Sequence, residues 1–82
     1  MLTKKFIIKN DCMGFESINT FVELTSKFDS SIYIETENKK ISAKSIIGIL
    51  SMKLQDGDEI TVLVSGEDED KALKKLEEYF NN

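Results

Sequence analysis

The 82-residue sequence contains no histidine, no arginine and no proline, and it has one cysteine and four glycines. Without histidine it lacks the side chain that titrates nearest neutrality and serves most often as a general base. No base and nucleophile pair can be assembled from the remaining residues, so no catalytic residue is assigned and binding is expected rather than chemistry. Because all 11 basic residues are lysines, no planar fork is present to grip a phosphate or carboxylate at two points. The lack of proline and scarcity of glycine argue against long flexible linkers. A single cysteine, Cys12, excludes an internal disulfide and fits a reducing compartment. No long apolar run follows Met1 to Phe6, so neither a signal peptide nor a membrane span is expected. A cytoplasmic location is the default.

The balance of 11 basic against 15 acidic residues gives a net charge of −4, which argues against nucleic acid as a partner. Hydrophobic residues make up 40% and charged residues 32%, proportions of a globular chain. The length fits one domain, residues 1–82, with a thin core.

Apolar spacing divides the chain into seven elements. Lys4 to Lys9 reads as a strand with Phe6 and Ile8 on one face and Ile7 on the other. Asn10 to Gly14 is a loop. Ile18, Phe21, Val22, Thr25 and Phe28 recur at three and four residues, one face of a helix that Asp29-Ser30-Ser31 breaks. Ile32 and Ile34 alternate in a second strand, Glu37-Asn38-Lys39 makes a turn, and Lys40 to Ser42 is a third strand. Ser45 to Met52 reads as a short helix with Ser45 as its cap. Gln55 to Asp58 is a turn, and Glu59 to Ser65 alternates as a fourth strand. In a final helix, Asp68 is expected to act as the cap and Ala72, Leu73, Leu76 and Phe80 as the buried stripe. The order β-α-β-β-α-β-α implies an α+β open-faced β-sandwich: a four-stranded antiparallel sheet with three helices on one face.

This order, and two stretches of sequence, resemble HPr, the histidine-containing phosphocarrier of the bacterial sugar phosphotransferase system, over about Lys4 to Phe80. Ala43-Lys44-Ser45-Ile46-Ile47-Gly48-Ile49-Leu50-Ser51-Met52 resembles the family's regulatory-serine segment, and Gly66-Glu67-Asp68-Glu69 leading to Ala72-Leu73 resembles its last turn and helix. The chain is similar in particular to the catabolite-repression paralogues of HPr that lack the histidine. The family's loop before the first helix reads glycine, apolar, histidine, alanine, arginine, proline. Counted back without a gap from Ser26-Lys27-Phe28-Asp29, this chain has Cys12, Met13, Gly14, Phe15, Glu16 and Ser17 there. The resemblance thus places Gly14 at the phosphorylated histidine and Glu16 at the arginine, a degenerate phosphocarrier site. A carboxylate at that second position would repel a phosphate.

Four features compete for a role. Ser45 is a helix cap, and the resemblance makes it a regulatory phosphorylation site, where a phosphate would meet unpaired backbone N–H groups. Of Ile46, Ile47, Ile49 and Leu50, two are expected to remain exposed. The resemblance implies that Ile47 and Leu50 belong to a partner-docking surface, which Phe15, at the start of the first helix, could extend. Cys12 is read as a bystander, since Asp11 and Glu16 carry the wrong charge to activate it; a phosphoryl carrier through Cys12 is the remote alternative. The acidic run Glu67 to Asp70 lacks the spacing of a calcium loop, so no metal and no cofactor is expected, and Asp70–Lys74 is a candidate ion pair.

Two principal readings follow. One is a noncatalytic HPr-like regulator phosphorylated at Ser45 and working with protein partners, for which the family suggests HPr kinase and a LacI-type transcriptional regulator. The other is a degenerate HPr-like interaction module with no phosphorylation. A monomer or weak homodimer is expected, with neither nucleic acid nor membrane as partner.

Overall fold

A computed structural model describes residues 1–9 and 11–81. Among them the elements run β1 (Leu2–Ile7), α1 (Ile18–Ser26), β2 (Ser31–Glu35), β3 (Lys40–Ser42), α2 (Ile46–Met52), β4 (Glu59–Ser65) and α3 (Glu69–Asn81). The strands form one antiparallel sheet in the order β1-β4-β2-β3. Hence β1 and β3 are edges and β4 is a central strand.

Alternation determines which way the sheet faces. Phe6, Ile32, Ile34, Ile60, Val62 and Val64 are buried beneath the helices, whereas Ile7 and Tyr33 point to the open face and stay exposed. From the helix side, Ile18 and Phe21 of α1, Ile49 of α2, and Ala72, Leu76 and Phe80 of α3 close the core. Phe80 stacks on Phe6 with ring centroids 4.7 Å apart and meets Phe21 at 5.7 Å, so aromatic contacts join β1, α1 and α3.

Strands β3 and β4 have the expected bounds, but β1 lies earlier than the pattern from Lys4 to Lys9 suggests. Its extent is set by its partner: Leu2 pairs with Val64 and Ile7 with Glu59, where β4 begins. Ile8 is tied instead to the following turn, accepting from Gly57 N at 2.7 Å and donating to Asp58 O at 2.8 Å. Asn10, the first residue of the expected loop, lies outside the described residues. Phe28 is not helical. Helix α1 stops at Ser26, and Phe28 is half-buried just beyond it.

The expected cap of α3 acts elsewhere. The Asp68 carboxylate accepts from the backbone N–H groups of Asp29 and Ser30, each at 2.9 Å, and from the Ser30 hydroxyl. At the same helix end, the Glu69 carboxylate accepts from Gly66 N at 3.1 Å. The Asp70–Lys74 pair is not formed; on that face Lys75 pairs with Glu78 at 3.5 Å. Within the acidic run from Glu67, Asp68 and Glu69 thus make separate structural contacts.

Candidate functional site

Residues 11–17 form consecutive turns before α1. Gly14 N donates to Asp11 O at 3.0 Å, and Gly14 O accepts from Ser17 N at 3.0 Å and Ile18 N at 3.1 Å. Asp11 has a positive φ of 55° and donates its N–H to the Asp56 carboxylate at 2.9 Å. Its own carboxylate occupies the space a side chain at position 14 would need: a Cβ there would lie 2.5 Å from the carboxyl carbon. An acid thus fills the spot beside Gly14.

Phe15 lies in these turns, not at the start of the helix, and is 79% exposed. The difference arises because α1 is anchored by its first buried residue, Ile18, whereas nothing apolar draws Phe15 inward. Glu16 is also exposed. Met13, between them and Cys12, turns into the core.

Helix α2 begins as its sequence suggests. Ser45 has extended backbone (φ −110°, ψ 111°), and its Oγ accepts from Gly48 N at 3.1 Å. This is the side-chain cap that satisfies one of the orphan N–H groups of a helix start. Gly48 suits the contact, since a Cβ there would sit 3.1 Å from Ser45 Oγ and 3.4 Å from Ile41 Cδ1. At the other end, Lys53 adopts the left-handed conformation, and Lys39 Nζ donates to Ser51 O at 3.0 Å.

Of Ile46, Ile47, Ile49 and Leu50 in α2, only Ile49 is buried. Ile47 is 82% exposed, while Ile46 at 39% and Leu50 at 38% are partly covered. Three residues rather than the expected two face outward, because a two-turn helix resting on a sheet buries one narrow stripe. The residue missed was Ile46. Its neighbour Ser45 gave the signal: the first residue after a cap lies in the end turn, where less of the helix is covered.

Cys12 is half-buried against the core, and burial pushes its thiol up, with Asp56 and Asp11 adding to the effect against two backbone hydrogen bonds that lower it. Its carbonyl accepts from the Tyr79 hydroxyl, whose own pKa burial raises to about 12. A thiol with a raised pKa is a poor nucleophile.

An open-faced α+β sandwich of this element order is the fold of solved HPr structures. Residues 3–82 match the sequence profile described as "PTS HPr component phosphorylation site". The HPr-like protein Crh of Bacillus subtilis is 42% identical over 59 residues, which cover 72% of this chain and 69% of Crh. The phosphocarrier protein HPr of Xylella fastidiosa (strain 9a5c) is 34% identical over 84 residues, covering all of this chain and 93% of that one. The crystal structure of HPr-C-His from Thermoanaerobacter tengcongensis superposes with a TM-score of 0.93 at 35% identity, covering 99% of this chain and 92% of that one. This chain belongs to the HPr family.

Proposed function

We propose that this chain is a noncatalytic HPr-like regulator or adaptor that cannot carry phosphate on histidine. The observation that carries this reading is that a member of a histidine phosphocarrier family has no histidine. The local geometry supports it. Gly14, at the position matched to the histidine, has the Asp11 carboxylate beside it, and Glu16 adds a second acid where the family has arginine. Both repel a phosphoryl group.

What remains is a scaffold with two usable features. Ser45 is the regulatory phosphorylation site. Its Oγ already faces the Gly48 N–H, so a phosphate there would meet the N-terminal N–H groups of α2. Phe15, Ile47 and Leu50, joined by Ile46, form the surface for a protein partner such as a LacI-type regulator or a metabolic enzyme. The protein acts in the cytoplasm as a monomer or weak homodimer and is not an enzyme. Similarity to Crh, described as the catabolite repression HPr of Bacillus subtilis, supports a role in carbon catabolite regulation.

The test is intact mass after incubation with ATP and an HPr kinase. A gain of one phosphate that disappears in Ser45→Ala supports the reading. No gain, under conditions that modify an ordinary HPr, overturns the phosphorylation and leaves the second reading: an interaction module that works unmodified. The exposed acid at Glu16 favours this alternative, since a phosphate must be tolerated close to negative charge if Glu16 neighbours the serine. Phosphoenolpyruvate with Enzyme I should leave the mass unchanged, Cys12 included.

A further inference from the structure

A second surface lies apart from those residues. Two clefts border Phe28, one of about 230 Å³ that includes Leu24 and Lys27 from the α1 side with Lys75 of α3, and one of about 350 Å³ that includes Lys71, Lys74 and Lys75 of α3. They share Phe28 and Lys75, so they lie side by side as one stretch of grooved surface, lined mostly by the carbon of Leu24, Phe28 and the lysine stems. A further ammonium is fixed close by, since Lys44 Nζ donates to Phe28 O at 2.7 Å.

The charge here runs against the rest of the chain. Lys27, Lys44, Lys71, Lys74 and Lys75 gather around one half-buried ring, with Glu23 and Glu78 as the acids of the lining, in a protein of net charge −4. Glu78 is taken up by Lys75. Among the described residues, Lys27, Lys71 and Lys74 make no ion pair. Fold stability does not call for like charges at three and four residues along a helix, which disfavour each other.

We propose that this groove docks an acidic segment of a protein partner, with an apolar side chain seated on Leu24 and Phe28 and flanking carboxylates on the lysines. Complementary charge would set the encounter rate and the apolar seat the residence time. Nucleic acid fits less well, because the groove offers no arginine and its one ring is half-buried rather than free to stack. A membrane surface fits less well, because the apolar atoms are recessed between lysines rather than protruding.

The experiment follows amide resonances of the whole ¹⁵N-labelled chain during titration with a short synthetic peptide of glutamates flanking a central Trp-Leu pair. Shifts confined to Leu24, Lys27, Phe28 and the Lys71–Lys75 turn are expected, weakening as salt is added. The double variant K71E/K75E, at exposed positions, keeps its dispersed spectrum and binds about tenfold more weakly or worse. An all-glutamate peptide without the apolar pair also binds more weakly. Four results would each overturn the proposal: no shifts, shifts at Ile46 to Leu50 instead, undiminished binding by K71E/K75E, or equal binding of the all-glutamate peptide. Tighter occupation of the same residues by oligothymidylate or phosphatidylserine vesicles would overturn it as well.

Discussion

The Asp68 carboxylate accepts the backbone N–H of Ser30 at 2.9 Å, so one side chain at the start of α3 holds the loop that turns α1 into β2. The hydrogen bonds from the Ser30 hydroxyl and from Asp29 N hold this carboxyl below the usual carboxylate range. An acid whose folded pKa is lowered adds stability above its unfolded value and loses it as pH falls through the folded one. Acid unfolding of the wild type should therefore include an Asp68 contribution that begins near pH 4 and grows below it. In Asp68→Asn, urea midpoints should drop at neutral pH and depend less on pH on the acid side. Parallel acid limbs in the two proteins would refute this role.

Gly66 faces the same loop. A Cβ at this position would lie 2.7 Å from the Ser30 Cα, a backbone atom that cannot step aside, and the residue has a φ of +153°. Gly66→Ala should cost on the order of 3 kcal/mol, from strain and overpacking together. Urea denaturation should show a lower midpoint with an unchanged slope. Gly57 has φ +94° with open space around it, so Gly57→Ala tests the backbone strain by itself and should cost less.

Two neighbours on α2 should separate folding from binding. Ile49 is 1% exposed, and Ile49→Ala should cost about 2–5 kcal/mol. Ile47→Ala should stay within about 0.5 kcal/mol of the wild type, since that side chain lies in solvent. Ile47→Ala should nonetheless weaken the complex proposed for the exposed face of α2, measured by calorimetry against a LacI-type regulator. Equal stability losses in the two variants would contradict the burial pattern.

Tyr79 contributes to stability on the alkaline side. Its phenol, half-buried and bonded to the Cys12 carbonyl, is pushed up to about 12 by burial. The unfolded phenol ionises at about 10. Here the folded pKa is raised, so the stabilising contribution is whole below about pH 10 and is lost as pH rises from there towards 12. Tyr79→Phe should cost about 1 kcal/mol at neutral pH, by leaving the Cys12 carbonyl without its partner, and should flatten the alkaline limb. Ultraviolet titration of the phenolate provides the direct check.

What could be read from the sequence was local. Strand β4 and the cap of α2 are encoded by alternation from Glu59 to Ser65 and by a serine three residues before Gly48, and both stand where those patterns put them. The bounds of β1 depend on pairing with residues 52 to 62 positions away, Ile7 with Glu59 and Leu2 with Val64, which no local stretch of sequence contains. Asp68 looked like a cap because aspartate usually is one, yet its partners lie on a loop 38 and 39 residues earlier. Phe15 was placed on the helix by its proximity to Ile18; only burial shows that the helix starts after it. At the candidate site the missing histidine was plain, while the acid lodged beside Gly14 was not, because Asp11 reaches it through a positive φ.

That lodged acid also decides what the turn can absorb. A side chain at position 14 would displace the Asp11 carboxylate, the free end of an exposed side chain, while the Asp11 backbone N–H stays bonded to Asp56. The crowding at this turn is therefore relieved by swinging one carboxylate into solvent, with no movement of the main chain.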